Sequence, residues 1–444
     1  MSKKRLLFLL ILFSFLVFAC TTEVKQQEVP QAPEYKESAE QEQIDVVSQQ
    51  PSILEERRDS SQEHKESSKQ YGWSVLYTKL EGCQKKDVVF TSLPLDIKNI
   101  KAVEPQGELT NSGHVTPGDH VGFQYDAKGP NIDVYAIADG YIKRVERNRP
   151  FGDIKSKNYH LYVEFSCSMF GSYVHVTEIA PQILEADPEF KRLDSLESVP
   201  DNERSIWPNI PIKAGQVIGK ADEWGLLGML IADTNVTLPG FINPEKYKGE
   251  GWKTHAVPPF DYFTPELKAQ LMEKTPRKKE PRGGKIDFDV PVKLSGNWFL
   301  ESTDYSGSKE NIPVYCGNQL CPYWSGHLAF VYDFVDPDQA RVSFGDYSGW
   351  YPQGPYGVKG NIEPPKIGAE DGLVKLELMS LEDIGNECGF VTQGKALCTR
   401  NSDKVAGIML VQMLDSNKIK VEMFPSKMAS QVNGFTGNEK VYER

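Results

Sequence analysis

The chain opens on one long apolar run, and later breaks into many short alternating ones. Leu6 to Phe18 is apolar apart from Ser14, and it follows Lys3, Lys4 and Arg5. About 20 apolar residues are needed to span a bilayer, so this run is short for a membrane helix; it has the length and basic flank of a secretory signal peptide. From 21 to 70 the apolar pattern disappears, with Tyr35 the single aromatic. Such a segment is expected to be a disordered tether, because it buries too little to offset its ordering entropy. The pattern resumes near Tyr71-Gly72-Trp73. Val134–Ile142 reads as strand, turn at Asp139-Gly140, and strand; Tyr159–Phe165 and Gly171–Val176 alternate as further strands. Pro265–Lys274 reads as a short helix with Thr264 as N-cap and Pro265 in its first turn. Thr275–Gly284 holds no apolar residue and reads as a break. Beyond it, Phe288–Leu294, Leu328–Val335, Val342–Phe344, Leu373–Leu378, Val405–Leu414 and Ile419–Phe424 predict short strands. The last two are joined by a hairpin turn at Asp415-Ser416-Asn417. The prediction is an all-β chain with two β domains in series.

These patterns divide the chain into 1–19 (signal peptide), 20–70 (tether), 71–263 (first β domain), 264–284 (helix and linker) and 285–444 (second β domain). Val17-Phe18-Ala19-Cys20 resembles the lipobox of prokaryotic lipoproteins. That resemblance implies lipidation of Cys20, a membrane anchor and an extracytoplasmic location. A flexible tether of this length reaches roughly 35–40 Å. Loss of the three cations in 1–19 moves the net charge from -12 to -15. So acidic a chain is a poor ligand for nucleic acid or for an anionic membrane surface.

Six further cysteines, Cys83, Cys167, Cys316, Cys321, Cys388 and Cys398, point to disulfides outside the cytoplasm. Domain logic pairs Cys83 with Cys167 and leaves Cys316–Cys321 and Cys388–Cys398 as the simplest remainder. A zinc site built from the last four is the alternative.

Four segments occur in a suggestive order: Val134-Tyr135-Ala136-Ile137-Ala138-Asp139-Gly140-Tyr141-Ile142, then Tyr173-Val174-His175-Val176, then Pro211–Gly219, then Asn243-Pro244. This set resembles the lysostaphin/LytM-type metallopeptidase domain over about 130 residues. The resemblance implies a barrel-like β fold. It also implies one zinc, held by a His-x-x-x-Asp pair and the second histidine of a His-x-His pair, with two more histidines orienting water. The match to that site is partial. His175 fits a water-orienting histidine. His120 stands where the first ligand is expected, but Gln124 occupies the aspartate position; His114 and Asp119 are a second pair at a different spacing. The His-x-His slot falls within Trp224–Asp233, which has no histidine. The resemblance therefore implies a catalytically incomplete domain, and such domains act as adaptors or activators of cell-wall hydrolases.

His114, Asp119, His120 and His175 remain a candidate metal or ligand cluster, against a plain reading as strand and loop residues. No cofactor is expected, with zinc the residual possibility. Trp207, Trp224 and Trp252 read as core or rim packing, with a sugar platform as the alternative. Gly296-Asn297-Trp298 resembles the lipocalin/calycin signature and implies a barrel, or else a sandwich, in the second domain. His327 reads as a structural strand-start residue, and Asp333, Asp336 and Asp338 as a solvated turn. The expected partners are the membrane, through the lipid, and a cell-wall polymer or envelope hydrolase. A zinc endopeptidase using His114 or His120 with Asp119 and His175, and a carrier of small apolar ligands, are the rival functions.

Overall fold

The computed structural model describes residues 87–444, except 111–112, 130, 149–155, 196–203, 310–311, 314, 317–318, 321–322, 346–353 and 391–396; side chains of 308–322 are also left undescribed. The signal peptide, Cys20, the tether, Cys83 and the Cys316–Cys321 pair lie outside the described residues.

The first part is built from β1 (Ala102–Glu104), β2 (Val121–Gln124), β3 (Ile132–Tyr135), β4 (Gly140–Asn148), β5 (Asn158–Ser166), β6 (Met169–Val176), β7 (Glu178–Ile179), β8 (Ser205–Ile206), β9 (Ile210–Ile212), β10 (Val217–Ala221) and β11 (Leu226–Asp233). An eight-stranded antiparallel sheet runs β1-β2-β11-β6-β5-β4-β8, with β9 also on β4, and a three-stranded sheet runs β3-β10-β7. Alternation decides the two faces of the large sheet. Phe123, Leu227, Met229, Tyr173, Leu161 and Val145 point to one side and join Val134 and Ile218 of the small sheet in a common core. Each such side chain contributes about 1.5–3 kcal/mol through burial. The other face carries Gly122, Gly228, Val174 and His160 in one cross-strand row. Leu230, Ser172 and Tyr162 form the next. That second face is where the polar residues collect.

Two glycines of the turn motifs serve different needs. Gly215 has φ +77°, the left-handed region that favours glycine. Gly140 does not; a Cβ there would lie 2.6 Å from the Glu164 carbonyl, so the requirement is close approach of two strands.

The C-terminal part is a closed antiparallel barrel of eight strands, Gly296–Leu300, His327–Tyr332, Ala340–Phe344, Tyr356–Val358, Leu373–Asp383, Thr399–Met413, Lys418–Pro425 and Lys440–Glu443. The first strand pairs with both the second and the last, which closes the barrel and leaves no open edge in it. The sandwich alternative is thereby excluded. Trp298 is fully buried among Leu328, Phe330, Val342 and Tyr442. Its Nε1 donates to the Leu294 carbonyl at 2.8 Å, and the Arg444 guanidinium lies 4.2 Å over its ring.

Several local readings change. Phe288–Leu294 forms no strand: Val292 sits at φ +57°, and Asp289 Oδ1 accepts from the Asn297 amide instead. Thr275–Gly284 is no loose break. Thr275 and Arg277 are buried, and Arg277 donates to the Phe334 carbonyl of the barrel. Asp333 is no solvated turn residue: it is 5% exposed and accepts from Arg341 Nε at 3.0 Å. Cys388 and Cys398 are joined by a disulfide, which removes two thiolates from the four-cysteine zinc alternative, and Cys167 is also disulfide-bonded.

Candidate functional site

The polar sheet face is roofed by a kinked 3-10 segment, Pro244–His255, whose non-helical residues are Tyr247 and Glu250. Between them lies a cavity of about 170 Å³. Its floor is the sheet: His160, Tyr162, Ser172, Val174 and Leu230. Glu250, Trp252 and Lys253 come from the roof, and His114, Asp119 and His120 from the loop that leads into β2. Tyr305 and Tyr323 of the barrel complete the wall, so both parts of the chain build one site. An aromatic cluster of Phe241, Tyr247, Phe299 and Tyr305, with Ala256 and Ile286, holds the two parts together there.

Asp119 is the hub. Its Oδ2 accepts from Trp252 Nε1 at 3.1 Å and lies 3.6 Å from Lys253 Nζ. Its Oδ1 is 3.4 Å from His120 Nδ1. Burial alone would raise this carboxyl, but Lys253, then His120 and His114, hold it well below the usual range. Lys253 has a side chain only 2% exposed, donates to Tyr305 Oη at 2.9 Å and lies over the Tyr305 ring. Burial pushes Glu250 up to about 8, against the pull of Lys253 and with the push of Asp119. His160 is kept well below its ordinary value by burial and by Arg144; its Nδ1 pairs with Tyr162 Oη at 2.8 Å. The rings of His114 and His120 meet edge to face, 4.9 Å between centroids.

Of the four candidate residues, His114, Asp119 and His120 line the cavity, and His175 does not. Alternation already turns it away from the floor residues Ser172 and Val174, and it also sits at a β-bulge. Tyr159 pairs with Val176 and His160 with Val174, so His175 is the extra residue, at φ +67°. The bulge turns its ring onto Trp224, stacked at 4.2 Å, where burial first and then His120 and His114 lower it to about 3. His255 is elsewhere too, its Nδ1 2.6 Å from the Val236 carbonyl.

The donors do not fit the zinc centre that the family resemblance implies. Gln124 is buried, and its amide donates to the carboxylate of Glu104 on β1. On β11, the position that faces His120 is Gly228: a Cβ there would lie 3.3 Å from His120 Cδ2. Neither Gly228 nor Leu230, two residues on, offers an imidazole. Three ligands and an open position are the minimum for a catalytic zinc. Among the described residues, no group of three His, Cys, Asp or Glu is placed to hold a metal ion.

Sequence reasoning missed His160, Glu250, Lys253, Tyr305 and Tyr323. Only His160 carried a signal, since it lies in the predicted strand Tyr159–Phe165, on the same face as Tyr162.

No family profile matches the chain, and no curated protein does. Among solved structures it is distantly similar to a zinc-containing peptidase from Vibrio cholerae, with 17% identity, 34% of this chain and 38% of that chain covered, and a TM-score of 0.23. The chain thus spans under two-fifths of that peptidase's length. It is also distantly similar to a chain of the SpoIIQ–SpoIIIAH pore-forming complex, with 14% identity, 40% and 92% covered, and a TM-score of 0.23.

Proposed function

We propose that this chain is a membrane-anchored extracytoplasmic lipoprotein whose peptidase-like β region binds or regulates at the cell envelope and does not hydrolyse peptide. One observation carries the reading: the side chains that a hydrolytic zinc centre needs are absent or occupied. Gln124 is engaged by Glu104, Gly228 stands opposite His120, and Asp119 is taken by Trp252 and Lys253. A carboxylate held by an indole N–H and an ammonium is a structural anchor, not a free ligand. What remains is a small polar cavity with aromatic walls, the form of a binding site. The partner in this reading is a cell-wall polymer or an envelope hydrolase, reached by a folded part that the tether holds off the membrane.

The test combines metal analysis with capture. The purified chain is expected to hold no stoichiometric zinc after dialysis against a zinc buffer, to cleave no envelope peptide, and to retain cell-wall polymer or an envelope hydrolase. One zinc per chain, together with peptide cleavage lost in Asp119→Ala, would overturn the proposal in favour of the endopeptidase.

A further inference from the structure

We propose that the cavity between the sheet and the barrel holds one neutral ring bearing hydroxyl or amide groups, such as a single sugar unit, with Trp252, Tyr305 and Tyr323 as its aromatic walls. The inference rests on the binding reading above and names its ligand class.

Charge comes first. The cavity's permanent ions, Lys253 and Asp119, face each other across 3.6 Å. An ionic ligand would have to compete with that pairing, and a buried charge left without its partner is strongly unfavourable. Glu250, pushed up to about 8 by burial, keeps its proton at neutral pH and offers no counter-charge to a cation. His160, held neutral, offers none to an anion. A neutral ligand meets no such obstacle.

Size comes second. At about 170 Å³ the cavity is smaller than the roughly 300–1,000 Å³ typical of drug-sized ligands, so its interior has room for one ring. The lining comes third. Trp252, Tyr305 and Tyr323 line it with aromatic rings that carry polar tips, a lining suited to a ring that is apolar on one face and polar at its edge. Ser172 is a hydroxyl on the floor, and Glu250 is an acid on the roof.

The full chain, in detergent, is titrated with glucose and N-acetylglucosamine, and separately with acetate, inorganic phosphate and ethanolamine, following tryptophan fluorescence. Saturable binding of a neutral sugar is expected, with none of the charged probes bound. Tyr323→Ala removes a wall residue that is 38% exposed and whose hydroxyl donates to the Gly113 carbonyl; with its folding checked by thermal melting, it is expected to weaken binding at least about tenfold. Ser172→Leu, which fills the floor, is expected to abolish it. No saturable sugar binding, tighter binding of a charged probe, or sugar binding unchanged in Tyr323→Ala would each sink the proposal. Capture of cell-wall polymer or hydrolase is measured in parallel. Capture without sugar binding defeats the cavity ligand alone, whereas sugar binding without capture defeats the envelope reading alone.

Discussion

Asp119 and Lys253 depend on each other, because neither sits in enough water to stand alone. Asp119→Asn leaves an ammonium buried beside Tyr305, and is expected to cost about 3–5 kcal/mol in urea unfolding. Adding Lys253→Met should restore much of that loss, since two neutral groups then replace a buried pair. Strict additivity of the two changes would show that they do not interact. Gln124→Asp is the substitution that formally repairs the ligand pattern, yet it sets a second carboxylate against the buried Glu104. It is expected to destabilise by about 1–3 kcal/mol without bringing zinc, read by thermal melting and metal analysis. Asp119 and His120 were legible in the sequence because the family resemblance places a ligand pair in the segment just before Val134. Lys253, Glu250 and Tyr305 were not: they reach the cavity from a kinked 3-10 segment and a barrel loop, and no local spacing announces that meeting.

At the scale of elements, periodicity located β3 to β6 and five of the barrel strands, missed others such as β2 and β11, and could not register any of them. The bulge at His175 shows why: alternation alone puts Tyr173 and His175 on one face, and one inserted residue sends the ring to Trp224. Phe288–Leu294 has a strand's composition, but Pro291 and the left-handed Val292 break it. The helix at Pro265–Glu273 was well signalled, with Thr264 at its N-cap, although the Thr264 side chain makes no capping bond. Thr264→Ala should therefore cost well under the roughly 1 kcal/mol usual for a cap. A loss of 1 kcal/mol or more on chemical denaturation would mean that the hydroxyl caps the helix in solution.

For the whole molecule, the seam between sheet and barrel is a store of shifted protons. Glu250 titrates near 8 when folded and near its ordinary 4.5 when unfolded. Between those values the folded form holds the extra proton, so this group's contribution is present at low pH and lost as pH rises. Glu250→Gln should accordingly gain in melting temperature on the parent from about pH 5 to pH 8; a constant difference would refute the shift. His327, buried at 1% exposure with its Nε2 2.8 Å from the Tyr305 carbonyl, is lowered to about 3 by burial. The unfolded chain takes up that proton first, so stability falls as pH drops from about 6.5 toward 3. The loss is roughly 4 kcal/mol over that window. His327→Gln should flatten this acid limb, measured by melts at intervals across it.

The barrel's first strand is zipped to its last. Gly296–Leu300 gains its second neighbour only once synthesis has reached Lys440–Glu443, so ring closure is among the most sequence-distant pairings in the molecule. Such pairings form late and slowly. The loop that carries Tyr305 and Tyr323 joins the first two barrel strands, so a nascent or clipped chain lacking its final strand is expected to own the imidazoles and the sheet while its aromatic wall stands on an unclosed barrel.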